Sequence, residues 1–440
     1  MSDAALATLS WLAAAATFLL IAAYGMGAPF ILLRTLLSLG KRRRLRYRTR
    51  NDDVLATSRF TIPVSLIVPL DPDVDDAPHR VRHLLQLRYP ELELVVVVPA
   101  GAALEDLKHG LSLAAAEVFY RKSLTGAAVR GLYRSATDPR VIVVQAEPAT
   151  LGETINCGVN LARYRYLAVV EGAATYHSDA LLEAMQAALE EPQRVVGATT
   201  SLSVRPVEGL DAALRGEAVT GLVDALRYLS AARTRLVTVG RRRLDLPPEG
   251  CPGFTIWRRD VVLDVGGFSG DVIAVHADMT FRVHAHFGGA RNRYRMIHVA
   301  EPVGLVAPEA ADPLARRARV PFGLMWRHRS LFFNPRYGRL GLFDLPRYGF
   351  NLLVAPWVEL WALVGLGLAV PLGVLTAGKL LLVLVTIGLG NGILTASALL
   401  LTGLAGHDPR PAALFNLLLV GPFEYFFSRP ALLIDRFRRE

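Results

Sequence analysis

Long apolar segments near both ends of the chain constrain its architecture more than any other feature. Residues 6–37 are apolar apart from Arg34 and a few small polar side chains, and residues 351–375 and 380–404 form two more apolar runs. About 20 apolar residues in a helix are enough to cross the hydrocarbon core of a bilayer. The sequence therefore predicts a multi-pass membrane protein around a more polar middle region, residues 61–320.

Basic residues set the predicted orientation. Residues 41–46 read KRRRLR directly after the first apolar run, and such clusters stay on the cytoplasmic side of a membrane. We therefore expect the inner (cytoplasmic) membrane as the location, with the middle region facing the cytoplasm. The chain has two cysteines, Cys157 and Cys251, which suits a reducing compartment.

A last apolar stretch, residues 412–427, is near the lower length limit for a span and is interrupted by polar residues and a Gly-Pro pair. A re-entrant or interfacial segment is favoured there, and a further span stays open. Residues 321–345 mix arginines with aromatic residues, which predicts amphipathic helices in the headgroup region. The lipid bilayer is thus a predicted partner. Nucleic acid is not, because the basic residues form no compact patch interleaved with aromatics.

Apolar runs alternate with helix-like segments in the middle region. The predicted strands are residues 64–68, 92–98, 141–144 and 167–170, and the predicted helices are residues 78–87, 152–162 and 179–189. This alternation predicts an α/β fold with an open, mostly parallel sheet and with ligand-binding groups at the carboxyl ends of the strands.

The whole chain divides into six predicted parts. They are an N-terminal transmembrane helix (1–40), a basic cytosolic linker (41–60), the α/β domain (61–320), amphipathic interfacial helices (321–345), C-terminal transmembrane or re-entrant helices (346–428) and a basic cytosolic tail (429–440).

Several short motifs share their order and spacing with one known family. They are VSLIVP (64–69), LRYPELE (87–93), INCG (155–158), WRRD (257–260), VGGF (265–268) and NPRYG (334–338). Together they resemble the membrane-integrated branch of the family 2 glycosyltransferases, which includes cellulose and hyaluronan synthases. The resemblance implies a GT-A-like domain in the cytosol, flanked by transmembrane and interfacial helices.

The resemblance also implies a reaction, and here the sequence departs from the family. In such enzymes acidic residues at strand ends hold the nucleobase and a divalent metal, and a carboxylate accepts the proton of the attacking hydroxyl. Residues 99–101 offer no acid after the second predicted strand, and Ala173 stands where a metal ligand is expected. Glu171 alone is a weak candidate metal ligand. Of the Gln-x-x-Arg-Trp motif only Arg319 remains.

Asp278 keeps the position of the general base and is the candidate catalytic residue; a competing structural role is to cap the helix predicted at residues 279–287. The candidates for binding a nucleotide or diphosphate are Asp71, Asp73, Asn156, Glu171, Arg316 and Arg319.

Joint loss of independent motifs favours a catalytically impaired protein of this fold. It would be a scaffold or regulatory partner of an active glycosyltransferase in polysaccharide or envelope-glycan assembly, with no cofactor. The alternative is an active inverting glycosyltransferase that moves a sugar from a nucleotide-linked or lipid-linked donor to a hydroxyl. Mg²⁺ or Mn²⁺ is expected only in that case. A transporter or structural anchor is the third possibility, so enzymatic activity stays open.

Overall fold

The computed structural model describes residues 61–170, 174–204, 252–270, 274–288, 294–306, 322–350, 354–373 and 375–403, with a few isolated positions elsewhere. Several predictions fall outside these residues: most of the N-terminal helix and of the basic linker, the last apolar stretch (412–427) and the basic tail.

The centre of the described chain is one ten-stranded sheet in the order β3-β4-β5-β2-β1-β6-β9-β8-β10-β7. The strands are β1 (Val64–Pro69), β2 (Leu92–Pro99), β3 (Leu113–Ala115), β4 (Val129–Ser135), β5 (Val141–Ala146), β6 (Tyr166–Val170), β7 (Ala174–Tyr176), β8 (Val195–Val204), β9 (Pro252–Arg258) and β10 (Arg295–Val306). The four predicted strands are confirmed as β1, β2, β5 and β6, which pair in parallel. Their near-continuous apolar sequences fit strands covered on both faces.

The three predicted helices are also confirmed, within one or two residues at each end. The helices of the α/β domain are α1 (Ala77–Leu85), α2 (Ala102–Gly110), α3 (Leu151–Leu161), α4 (Ala180–Glu190), α5 (Arg259–Asp264) and α6 (Val275–His286). Helix α3 begins with a capping box, in which the Thr150 hydroxyl accepts from the Glu153 backbone N–H and the Glu153 carboxylate accepts from the Thr150 N–H. This pair satisfies two backbone groups that would otherwise lack partners.

Two apolar layers cover the sheet, one on each face. Alternate side chains of a strand point to opposite faces, so Leu66 belongs to one cluster and Ile67 to the other. The first cluster includes residues of α1, α2 and α4, and the second includes residues of α3, α5 and α6. The result is a mixed α/β fold with a largely parallel centre.

A run of short helices follows the sheet. It consists of α7 (Phe322–Arg327), the 3-10 turns Arg329–Leu331 and Pro335–Tyr337, the π turn Leu340–Asp344 and α8 (Leu345–Gly349). We call residues 322–349 the docking segment, because its buried side packs on α6 through Ala277 and Phe281. Its other side leaves Trp326, Phe333 and Phe343 exposed.

The last described elements are α9 (Ala355–Leu368) and α10 (Ala377–Gly403). Residues Ala377–Leu400 of α10 are long and apolar enough to cross a membrane, judged by length and composition. No other helix among the described residues meets both criteria. Helix α9 has 14 residues, about 21 Å at the usual helical rise, so it is shorter than the span predicted at 351–375. The described residues thus support one span weakly, and the other spans stay predictions.

Candidate functional site

The predicted cleft begins at the carboxyl ends of β1 and β2. The loop after β1 carries Asp71 and Asp73, and it packs against the start of α2, where the Ala103 N–H donates to the Pro72 carbonyl at 3.0 Å. The approach is so close that a Cβ on Gly101 would lie 2.9 Å from the Pro72 Cβ atom. Both carboxylates are exposed, and neither pairs with another side chain in the described part of the structure. They are therefore open to a ligand.

Three other candidates lie outside the described residues: Glu171 directly after β6, and Arg316 and Arg319 before the docking segment. Their nucleotide- or metal-binding roles stay predictions. Among the residues that the structure does describe, no group of three or more histidine, cysteine or acidic side chains is arranged to hold a metal ion. Position 173 is alanine, so it supplies none of the several oxygen ligands that a divalent metal site needs.

Asn156, a candidate for nucleotide binding, is buried in α3. Its Nδ2 donates to the carbonyls of Thr125 and Phe268, each at 2.8 Å, and its Oδ1 accepts from the Phe268 N–H at 2.7 Å. Both amide N–H groups are used, so neither is available to a nucleotide. Through these contacts Asn156 joins two backbone segments to α3, and its nucleotide-binding role stays a prediction.

One of those segments is the glycine loop, residues 265–270, between α5 and α6. Gly267 has a φ of +77°, and a Cβ there would lie 2.6 Å from the Asn156 Oδ1 atom. Glycine is the residue that tolerates this conformation at little cost. The carbonyls of Val265 and Gly267 both accept from the guanidinium of Arg282. The loop is therefore fixed from two sides.

Asp278 is completely buried and both of its oxygens are engaged. The Ser269 hydroxyl donates to Oδ2 at 2.8 Å, and His328 Nε2 lies 2.8 Å from Oδ1. Since a carboxylate only accepts, His328 Nε2 carries the proton. Arg282 Nη1 lies 3.6 Å from Oδ2. An acceptor hydroxyl would have to displace one of these groups to reach the carboxylate.

Burial raises the pKa of Asp278, but its hydrogen bonds with His328 and Ser269 and the charges of His328 and Arg282 together outweigh that effect. The pKa therefore lies below its ordinary value of 3.8, and the group is ionised at neutral pH. Removing one partner of such a carboxylate would leave a buried charge without compensation, which is strongly destabilising.

The predicted helix-capping role of Asp278 is wrong. Helix α6 begins at Val275, so Asp278 lies within its first turn, and its N-cap residue, Ala274, makes no side-chain capping bond. The carboxylate instead connects α6 with the glycine loop and with the docking segment. Sequence reasoning did not find Ser269, Arg282 or His328 as its partners. Only the i, i+4 spacing of Asp278 and Arg282 gives a local signal, because His328 is 50 residues away.

Comparison with known proteins agrees with this architecture. No known protein family and no curated protein matches the sequence. A solved mannosyltransferase from Pyrobaculum calidifontis, in complex with GDP-Man and Mn²⁺, matches over 94% of this chain and 98% of its own, with a TM-score of 0.52 and 19% identity. Residues 1–349 of S. aureus TarS match over 77% of this chain and 88% of their own, with a TM-score of 0.35 and 12% identity. On the match to the mannosyltransferase, the described domain has a GT-A-like glycosyltransferase fold, and at 19% identity the likeness extends to the fold alone.

Proposed function

We propose that this chain is a membrane protein of the GT-A glycosyltransferase fold that has lost metal-dependent sugar transfer. In this proposal it serves as a non-catalytic scaffold or regulatory partner of an active glycosyltransferase in polysaccharide or envelope-glycan assembly. It lies in the cytoplasmic membrane with several spans, and its α/β domain faces the cytoplasm.

The observation that carries the proposal is the closed environment of Asp278. A general base must come within hydrogen-bond distance of the hydroxyl that it deprotonates. Asp278 has no exposed surface, and Ser269 and His328 occupy its two oxygens. The amide N–H groups of Asn156 are likewise taken by backbone carbonyls. Asp278 and Asn156, which match the family motifs, are thus both engaged in contacts within the fold. This favours a protein that keeps the glycosyltransferase fold but does not catalyse sugar transfer.

Binding measurements on the purified full chain test the proposal. Calorimetric titration with UDP or GDP, with and without Mn²⁺, should give no increase in affinity from the metal. The variant Ala173→Asp should not gain sugar transfer, because restoring one acid leaves residues 99–101 without a carboxylate. A metal-dependent rise in nucleotide affinity of about tenfold or more, equal to about 1.4 kcal/mol, would contradict the loss of the metal site.

The proposed partner needs its own test. An intact glycosyltransferase from the same membrane should co-purify with this chain, and its polymer output should fall when this chain is deleted. Unchanged output would contradict the scaffold role.

One observation favours active transfer as a second candidate. A carboxylate that holds a histidine in a fixed tautomer also stabilises the imidazolium that forms when the histidine takes a proton. The Asp278–His328 pair has this arrangement, so His328 would be the base and Asp278 would position it. The donor in this alternative is a nucleotide-linked or lipid-linked sugar. Sugar transfer by the wild type that is abolished in His328→Gln, with the variant still folded, would favour this candidate.

A further inference from the structure

An exposed loop of the α/β domain contributes to the site described above only through the Thr125 carbonyl, which accepts from Asn156. Residues 116–128 connect β3 to β4 without helix or strand. The loop is held at both ends: the Ala116 N–H donates to the Leu132 carbonyl at 2.9 Å, and the backbone of Leu124 exchanges two hydrogen bonds with the Asn160 side chain. The part between these two anchors is mostly exposed.

The tip of this loop, residues 119–122, reads Phe-Tyr-Arg-Lys. The Phe119 side chain is as exposed as in an isolated residue, Tyr120 is 37% exposed, and Arg121 and Lys122 are exposed as well. Glu117 is the nearest acid in the sequence, which leaves the tip with a net positive charge. Burying a phenylalanine side chain stabilises a protein by roughly 1.5–3 kcal/mol relative to leaving it in water. No side chain of the described fold covers Phe119.

The base of the loop adjoins the region that holds the docking segment. Asn156 binds the Thr125 carbonyl and also the backbone of Phe268 in the glycine loop. The glycine loop is linked through Ser269 and Asp278 to His328 in the docking segment. The base of the loop and the docking segment are therefore connected through the glycine loop by a series of hydrogen bonds.

We propose that residues 119–122 form a second membrane contact, in which Phe119 enters the boundary between headgroups and acyl chains while Arg121 and Lys122 bind anionic lipid. Aromatic residues are enriched at membrane interfaces, and basic residues near the surface are attracted to anionic headgroups. This inference rests on the membrane association in the proposed function. With the docking segment, the loop holds the strand ends of the α/β domain in a fixed orientation to the bilayer.

A depth-sensitive fluorophore tests the contact in the full chain reconstituted into lipid nanodiscs. The label is placed at Phe119→Cys in a Cys251→Ser background. Cys157 stays, because it is buried and burial raises the pKa of its thiol to about 11, although Lys122 nearby lowers it. A label at Phe333→Cys measures the membrane depth of the docking segment. A label at Asp106→Cys is the reference for a position in water, because Asp106 is exposed on α2 at the other face of the sheet.

We expect brominated lipid to quench the label at position 119 at least about twofold more strongly than the label at 106, as expected for a residue within the interface. Adding Arg121→Glu and Lys122→Glu should remove that difference in nanodiscs that contain phosphatidylglycerol. If position 333 is quenched and position 119 behaves like 106, the loop contact is wrong while membrane association stands. If neither 119 nor 333 is quenched, both fail.

Discussion

The loop after β1 carries acids predicted to bind a nucleotide, and helix α6 carries the acid predicted to be the general base, yet the two regions differ in exposure and in hydrogen bonding. Asp71 and Asp73 are exposed and pair with no other side chain in the described part of the chain. Asp278 has no exposed surface and three groups around its carboxylate. The open loop is suited to binding a ligand, whereas the closed network is suited to fixing tertiary structure. A retained acid therefore indicates retained chemistry only where its oxygens are accessible.

The largest effect is expected from removing the buried carboxylate. Asp278→Ala leaves the Ser269 hydroxyl and His328 Nε2 without their acceptor, and breaking a buried charged pair typically costs about 3–5 kcal/mol. The melting temperature of the purified full chain should therefore fall sharply, while Asp73→Ala should leave it unchanged. Equal melting temperatures for the two variants would mean that the closed network contributes nothing to stability, and the contrast between the two regions would disappear.

Asn156→Ala should give the next largest effect. It removes two buried hydrogen bonds to the Phe268 backbone and one part-buried hydrogen bond to the Thr125 carbonyl, and the loss of stability is about 2–3 kcal/mol. Amide exchange at Phe268 should accelerate at the same time. Asn334→Ala is the matched control, because Asn334 is only partly buried and also forms hydrogen bonds with the backbone of Ser330 and Arg336. Weaker nucleotide binding with unchanged stability would instead support the predicted nucleotide role of Asn156.

These two residues also show how far sequence reasoning reaches. The strands β1, β2, β5 and β6 could be predicted because a buried parallel strand is a short run of apolar residues, which is visible in the local sequence. The three-residue strands β3 and β7 are too short for any pattern, and β10 contains Pro302. Their pairing depends on neighbours that are distant in the sequence.

The candidate site follows the same rule. The positions of Asp71 and Asp73 directly after the first strand could be predicted, because motif order can be read along the sequence, whereas the helix that contains Asp278 begins earlier than predicted. Accessibility could not, because it depends on contacts between distant segments. Asp278 contacts His328 because the docking segment packs on α6. No spacing or periodicity in the sequence predicts a pair that is 50 residues apart.

The pH dependence of stability offers a test with a smaller effect. Because the folded-state pKa of Asp278 is below its ordinary value of 3.8, its contribution to stability is complete above that value and is lost as the pH falls through the folded-state pKa. The groups facing it are His328 and Arg282. The difference in melting temperature between wild type and Asp278→Asn should therefore be largest near neutral pH and should shrink below about pH 4. If the difference in melting temperature instead grew as the pH fell, the pKa of the Asp278 carboxyl in the folded protein would have to lie above its ordinary value.

The smallest effect on stability, and the sharpest test of the open region, comes from Asp71→Asn combined with Asp73→Asn. Because both side chains are exposed, the double variant should have the same melting temperature as the wild type. Any nucleotide affinity that the wild type retains should fall by about tenfold, since a hydrogen bond to a charged group contributes about 1.5–3 kcal/mol. Calorimetry with UDP and GDP measures this, with Asp106→Asn on α2 as the control of equal charge change at an exposed position. If the double variant binds UDP and GDP with the same affinity as the wild type, the loop after β1 is a solvated turn that does not contact the nucleotide. The cleft would then lack both these nucleotide contacts and an accessible general base.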